Sequence, residues 1–390
     1  MTASLSGRLR RLWLDVHLWI GVGLLVAIIP LSLSGSILVW HDALDRATHG
    51  ERYAVSGPQV ALPPAAYARS AQAAFGRQAR LTQIRFPEAA GDPVVAVGRI
   101  EGPPGPGGRP RSLNLWIDPP TAKVLAKAEV AKGFSMTMHR LHGTLFIPEI
   151  GRKVVGWIGW AMFVSCVSGL WLWWPRNGAV LKALRWRRGP STLFNLHHMV
   201  GFWICLPLAV LSLTGVYISF PQTSRALFGV APPPEAQGAQ GGGQRPGGAG
   251  GGRFAPPIAA PNLTFEDATA RALAAAPGGT LAAVSVPTQG KAPAWKVQVR
   301  KPGVKEPATL AVDDATGEAK ADRGGPGGGG PDPLSRWMRR IHDGADMGIV
   351  WQTIIVLGGI APVVLSITGL VMWLRRRARR RAMHRAMAEA

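Results

Sequence analysis

Four long apolar segments dominate the hydrophobic pattern of the chain, at residues 18–40, 153–174, 199–220 and 349–374. A helix that crosses a bilayer needs about 20 apolar residues, and none of the four segments contains Asp or Glu. The pattern therefore predicts four membrane-spanning helices. The first segment is too long for the apolar region of a signal peptide, and no small-x-small cleavage site follows it, so we expect it to be retained.

The two long polar stretches between these segments alternate helix-like and strand-like patterns. In residues 42–138 a helix is expected near 65–75, with strands at 81–86, 93–99, 113–117 and 124–129. In residues 221–338 a helix is expected at 264–275, with strands at 281–286, 294–300 and 308–312. A strand ends in an Asp-led turn at Asp118 in the first stretch and at Asp313 in the second.

Glycine-rich runs at residues 238–252 and 324–330 show no apolar periodicity. Such runs are typical of flexible linkers. Neither has the lysine and the following helix of a phosphate-binding loop, and no strand–GxGxxG–helix unit occurs elsewhere. The sequence therefore predicts no nucleotide site.

Two histidine–glycine spacings occur twice, once in each half of the chain. Eighteen positions separate His17 from Gly35 and His197 from Gly215, and twenty-seven separate His142 from Gly169 and His342 from Gly369. The halves have the same orientation, because odd and even spans run in opposite directions. The chain is therefore predicted to be a parallel tandem repeat about an axis along the membrane normal, with the first histidine of each half at one depth and the second at another.

The formal net charge of +22 invites a nucleic-acid interpretation, but the placement of the basic residues argues against it. They concentrate in short segments before the first span, between the second and third spans, and after the fourth. By the positive-inside rule these segments are cytoplasmic, and the two long polar stretches lie outside the cytoplasmic membrane. Contact with anionic lipid accounts for the rest of the charge.

The chain has two cysteines, Cys166 and Cys205, and both fall within apolar segments. They form no disulfide framework of the kind found in small secreted domains. We expect both to be buried packing residues.

Histidines beside membrane spans have a simple explanation as interfacial residues, but the paired spacing favours ligands. Ionisable residues in such positions tend to face the bundle interior, and neutral imidazole is a common metal ligand. A non-haem metal normally recruits carboxylates or thiolates, and only Asp15 and His198 lie close in sequence to His17 and His197. Haem leaves just two axial positions for the protein, so the pairs His17/His197 and His142/His342 predict one or two haems.

Three other histidines are weaker candidates. His198 is an alternative to its neighbour His197, which is the residue that aligns with His17. His139 has no counterpart, because an arginine occupies the matched position. His41 corresponds to a proline and is at most an accessory ligand near the outer site.

Arg140 and Arg340 each lie two residues before a repeat-matched histidine. They are candidate partners for haem propionates, since guanidinium groups bind carboxylates in charge-assisted pairs. Solvated interfacial arginines are the alternative explanation.

A family resemblance rests on these same segments. Residues 14–21 (LDVHLWIG), followed by LSG at 33–35, resemble the first PepSY-associated transmembrane helix. LHG at 141–143, GW at 156–157 and SGLWLWWPR at 168–176 resemble the second. Over nearly its whole length the chain is similar to the iron-regulated PepSY-domain membrane proteins of Gram-negative bacteria, which include siderophore-iron reductases of the inner membrane.

The resemblance implies a membrane α-helical bundle of four transmembrane helices, in a 2+2 parallel tandem repeat, with two small periplasmic α+β PepSY-like modules. The expected divisions are a cytoplasmic N-terminus with the first helix, the first module, a histidine segment with the second helix, a basic loop, the third helix, the second module, a histidine segment with the fourth helix, and a basic tail. Their bounds are residues 1–41, 42–138, 139–174, 175–192, 193–220, 221–338, 339–374 and 375–390.

The function implied is a haem-containing oxidoreductase of the inner membrane that reduces the iron of a ferric siderophore in the periplasm. Electrons would come from quinol or a cytoplasmic reductant. Two other classes stay open. PepSY modules also occur as regulators of secreted proteases, which makes a membrane-anchored binding protein without a redox centre an alternative. A transporter is the third, although no span shows a central charge or an obviously broken helix.

Overall fold

The computed structural model describes residues 5–103, 105, 110–175, 184, 186, 189, 191–229, 255–290, 292–304, 306–322 and 333–389. The glycine-rich runs lie almost wholly outside these residues, as does most of the basic loop after the second span. The chain divides into two compact units. The membrane unit comprises Met1–His41, Met138–Ala231 and Pro331–Ala390, and the sheet unit comprises Asp42–Thr137 and Pro232–Gly330.

The helices of the membrane unit follow the predicted apolar segments, with short amphipathic helices beside them. Three are long and apolar enough to cross a membrane, and a bent pair adds a fourth span if it is counted as one. In chain order the helices are α1 (Leu5–Gly23), α2 (Leu25–Val39), α3 (His41–Thr48, which leads into the sheet unit), α5 (Phe134–Thr144), α6 (Gly151–Trp173), α7 (Thr192–Ser219), α8 (Pro221–Leu227), α10 (Pro333–Asp343) and α11 (Gly348–Glu389).

The first span differs from the single straight helix that hydropathy predicts. It begins earlier, and α1 and α2 meet at Leu24 with a bend of 70°. The expectation that no span is broken is therefore wrong for this one. Gly21 and Gly23 lie in the last turn of α1 and weaken it, since glycine loses the most backbone entropy in a helix. Pro30 cannot donate a backbone hydrogen bond within α2 and further weakens the first turns after the bend.

Small residues set the close approach of α2 to α11. A Cβ added at Gly359 would lie 2.0 Å from Ser36 Oγ and 2.5 Å from the Ser32 carbonyl oxygen. The Ser36 hydroxyl donates to the Val356 carbonyl at 2.9 Å, which joins the two backbones. Between α6 and α7, Gly156 makes room in the same way for Phe220. Such contacts through small residues are how helices associate where there is no water to expel.

Helix α11 continues well past the predicted end of its span at residue 374. It remains helical to Glu389, and its arginine-rich part is exposed to solvent. The basic tail expected from the sequence is therefore a rigid extension of the last span.

The sheet unit holds one antiparallel sheet of eight strands in the order β4-β3-β2-β1-β5-β6-β7-β8. Each polar stretch contributes one helix and four strands to this unit, which confirms the predicted helix in each stretch and seven of the eight strands. The first set is α4 (Pro64–Phe75), β1 (Ala79–Arg85), β2 (Val94–Ile100), β3 (Ser112–Ile117) and β4 (Val124–Glu129), and the second is α9 (Phe265–Ala275), β5 (Thr280–Ser285), β6 (Ala294–Arg300), β7 (Ala308–Asp313) and β8 (Ala319–Ala321).

The two sets are joined rather than separate, because β1 pairs with β5 through Ile84 and Val284. These two side chains are fully buried in a core that both helices cover. The sequence patterns did not predict this pairing, and they missed β8, which is only three residues long.

The Asp-led turns differ between the halves. Asp118 is buried and accepts hydrogen bonds both from Thr121 in its own turn and from Ser56, which precedes α4. In the second half, two neighbouring aspartates accept these hydrogen bonds. Asp313 accepts from Thr316 in the turn, whereas the buried Asp314 accepts from the segment before α9 and from the Trp295 indole at 2.9 Å.

The buried position of Asp314 should make it more important for stability than its neighbour. We expect Asp314→Ala to reduce the free energy of unfolding of the sheet unit by about 1–3 kcal/mol, because the amides of Asn262 and Leu263 and the Trp295 indole lose their acceptor. Asp313→Ala is the matched control, since its exposed turn amides can bond water. Pulse proteolysis of the full-length protein in urea measures both, and an equal loss in the two variants would contradict this account.

Candidate functional site: two facing histidine pairs

The first histidines of the two halves face each other in the membrane unit. His17 lies on α1 and His197 on α7, and their ring centroids are 6.3 Å apart with the ring planes at 89°. Both side chains are partly buried. We call this pair site A.

The second histidines form an equivalent pair. His142 lies on α5 and His342 on α10, with ring centroids 5.9 Å apart and an interplanar angle of 43°. We call this pair site B. The structure thus brings together the residues that the repeat matched, while their role as ligands stays a prediction.

Each histidine ring lies against a glycine on the other span of its own half, and these are the four glycines that the repeat matched. A Cβ added to one of them would come within 2.8–3.4 Å of the imidazole Cε1 atom. The ring–glycine contacts are His17–Gly169, His142–Gly35, His197–Gly369 and His342–Gly215. A Cβ at Gly35, Gly169 or Gly215 would require the ring to shift, whereas a Cβ at Gly369 would make an ordinary van der Waals contact.

Backbone carbonyls fix the tautomer of three of the rings. Nδ1 of His17 lies 3.1 Å from the Ser165 carbonyl oxygen, Nδ1 of His142 lies 2.8 Å from that of Leu31, and Nδ1 of His342 lies 3.1 Å from that of Leu211. A carbonyl can only accept, so Nδ1 carries the proton and Nε2 keeps its lone pair. Each carbonyl belongs to the residue four positions before the glycine that the ring contacts.

A hydroxyl group holds His197 in the same tautomer, with the proton on Nδ1. Its Nδ1 lies 2.9 Å from Thr368 Oγ1, and that hydroxyl donates its own proton to the Val364 carbonyl at 2.7 Å. The hydroxyl oxygen therefore accepts from Nδ1–H. All four histidines present a bare Nε2, oriented by a partner on Nδ1, which is how metal-binding histidines are commonly held.

The two histidines of site B lie outside the spans, and burial lowers the pKa of both rings. For His342 the pKa falls to about 4, first through burial and then through the neighbouring His142. Both rings are therefore neutral at pH 7, the form in which imidazole binds a metal.

The weaker histidine candidates do not join either pair. His198 stacks on Phe194 at a centroid distance of 3.9 Å, and its Nδ1 contacts the Phe194 carbonyl of its own helix. His139 is exposed on α5. His41 is exposed at the start of α3 and bonds the Leu38 carbonyl at 2.8 Å. Of the adjacent pair His197 and His198, only His197 contacts a repeat-matched glycine.

The two repeat-matched arginines lie over aromatic rings. The Arg140 guanidinium is 5.7 Å from the Phe146 ring centroid, and that of Arg340 is 5.6 Å from the centroid of Trp337. Their assignment to haem propionates stays a prediction.

The two cysteines are buried as expected, and Cys205 Sγ donates to the Cys166 carbonyl at 3.1 Å between α7 and α6.

Sequence reasoning missed the hydroxyl residues that immediately precede the four glycines: Ser34, Ser168, Thr214 and Thr368. The signal was available, because a Ser or Thr occupies this position in all four segments. Three of these hydroxyls contact a histidine Nδ1.

The donor set fits a haem better than a bare metal ion. Within the described residues, no group of three or more His, Cys, Asp and Glu side chains converges. Two imidazoles bonded from opposite sides to one metal, at about 2 Å each, have ring centres roughly 6 Å apart. The spacings of 6.3 and 5.9 Å match this value.

Comparison with known proteins places the chain in a family. The family model described as the PepSY-associated TM region matches residues 14–376. A search of curated proteins finds no match to this chain. The family match spans both histidine pairs, all four contacting glycines and the sheet unit, and the chain therefore belongs to the PepSY-associated transmembrane family.

Proposed function

We propose that this membrane protein transfers electrons across the bilayer through two b-type haems, one at site A and one at site B, and reduces the iron of a ferric siderophore on the periplasmic side. The observation that carries the proposal is the facing of repeat-related histidines at 6.3 and 5.9 Å, each with its Nδ1 proton held by a partner.

Haem supplies one-electron redox chemistry at an iron whose potential depends on its axial ligands and their surroundings. The residues of this chain would do the positioning. His17 and His197 would hold the iron at site A, and His142 and His342 would hold it at site B. Their Nδ1–H groups would keep donating to the carbonyl and hydroxyl acceptors, so the histidines would neither gain nor lose a proton when the haem changes oxidation state.

The charge distribution supports electron transfer from the cytoplasmic side of the membrane to the opposite side. On α11 the glycine that contacts His197 lies six residues before Arg375, which is about 9 Å along a helix. Site A is therefore close to the arginine-rich tail, on the side that the positive-inside rule makes cytoplasmic. Site B is formed by α5 and α10, which follow the two periplasmic stretches in the sequence.

This arrangement suits an electron donor on the cytoplasmic side, either quinol or a soluble reductant, and a ferric chelate on the other. Hydroxamate and catecholate oxygens are hard donors, which hold Fe(III) more tightly than Fe(II). Adding one electron therefore loosens the chelate and releases its iron.

Single histidine variants test the assignment of the two sites. We expect His17→Ala and His142→Ala each to reduce the haem content of the purified protein from two per chain to one, because each removes an axial ligand from one site only. His198→Ala is the matched control, since its ring stacks on Phe194 and contacts no repeat-matched glycine. Pyridine haemochrome assay with protein quantification gives the ratio. A ratio of two haems per chain in all three variants would contradict the assignment of the haem sites to these histidines.

A reconstituted system tests the direction of transfer. In proteoliposomes with reductant on the side of the arginine-rich tail, wild-type protein should reduce a ferric hydroxamate on the opposite side. His342→Ala should abolish that reduction while the haem of site A can still be reduced, because only the outer site is lost. Chelate reduction at the wild-type rate in His342→Ala would exclude site B from the path.

A further inference from the structure

The hydroxyls beside the four glycines are distributed unequally between the two sites. At site A both histidines contact one: Nδ1 of His17 lies 3.1 Å from Ser168 Oγ, and Nδ1 of His197 lies 2.9 Å from Thr368 Oγ1. At site B, Nδ1 of His342 lies 3.0 Å from Thr214 Oγ1. Site A therefore has a hydroxyl on each ligand.

The fourth hydroxyl does not contact its histidine in the described part of the chain. Ser34 Oγ lies on α2 beside the glycine that His142 contacts, but it donates back to the carbonyls of Pro30 and Leu31 at 2.7 and 3.0 Å. Nδ1 of His142 bonds the Leu31 carbonyl alone. Site B thus has one hydroxyl where site A has two.

The three hydroxyls that contact a ring act as acceptors. Ser168 donates its proton to the Ser165 carbonyl at 3.1 Å, and Thr214 donates to that of Val210 at 2.9 Å, as Thr368 does to Val364. With the hydroxyl proton used in this way, the oxygen lone pair faces Nδ1–H. An acceptor on Nδ1–H makes the imidazole a more basic ligand, which favours the ferric over the ferrous state and lowers the reduction potential.

We propose that Ser168 and Thr368 are positioning residues that lower the reduction potential of a haem at site A, because each adds a hydroxyl acceptor to the Nδ1–H of a histidine that would hold it. The inference rests on the proposed function and names residues that would set the potential of one site. Haem would supply one-electron chemistry there, and the Nδ1 protons would stay in place when its oxidation state changes.

Isosteric variants separate the hydroxyl from the packing, because valine has the shape of threonine without the oxygen. We expect a redox titration of the purified wild-type protein, followed in the haem absorption bands, to show two one-electron waves. The variants His17→Ala and His142→Ala assign each wave to a site. Thr368→Val should raise the potential of site A by a tenfold change in its equilibrium constant, which is about 59 mV for one electron.

Matched variants at site B complete the test. Thr214→Val should raise the potential of site B, and Ser34→Ala should leave the potential of site A unchanged, since the Ser34 hydroxyl donates to carbonyls of α2 beside site B. Thr368→Ser, which keeps the hydroxyl, should retain the wild-type potentials. If Thr368→Val loses the haem of site A, the potential of Thr368→Ser decides: the wild-type value supports the inference, and a shifted value overturns it.

The failure of this inference can be told apart from failure of the proposed function. Two haems whose potentials do not respond to Thr368→Val overturn the inference alone. A colourless protein purified from haem-replete cells overturns the proposed function and the inference together.

Discussion

In the described part of the membrane unit, four imidazole rings each lie against a glycine of a neighbouring helix and donate Nδ1–H to a carbonyl or hydroxyl oxygen of that helix. The rest of each site depends on this contact. It needs a residue without a Cβ, because any side chain at Gly35 would lie within 2.8 Å of the His142 ring. It also leaves Nε2 as the only nitrogen that can bind a metal.

Each histidine–glycine contact joins residues of the same half of the chain, whereas each histidine pair joins residues of the two different halves. His17 is held by Gly169 of its own half and faces His197 of the other. Each half therefore orients two imidazoles on its own, and the association of the halves brings the ring centroids of each pair to about 6 Å. A duplicated chain can build two equivalent sites in this way, and later differences between the halves, such as the turned-away Ser34, can make the sites unequal.

The repeat in the sequence was enough to predict which histidines pair, because matched spacing on matched spans puts residues at matched depths. It linked His17 with Gly35 and His142 with Gly169, whereas the His17 ring contacts Gly169 and the His142 ring contacts Gly35. The hydrophobic pattern predicted α4, α9 and seven of the eight described strands of the sheet. The bend at Leu24 was not predicted, because hydropathy reports how apolar a segment is and not the direction of its backbone.

Long-range and very short features also escaped prediction. The pairing of β1 with β5 joins residues about 200 positions apart, and no local pattern encodes it. The three residues of β8 are too few to show an alternation. The hydroxyls of Ser168, Thr214 and Thr368 were visible beside the glycines, but their orientation toward Nδ1 depends on packing between helices.

The most direct test of the central claim is a visible absorption spectrum of the full-length protein, purified in detergent from haem-replete cells and recorded before and after reduction with dithionite. The account predicts a Soret band that sharpens on reduction, distinct α and β bands of low-spin haem with two axial histidines, and two haems per chain. A protein without these bands would contradict it, and the facing histidines would then be packing residues at the helix interfaces.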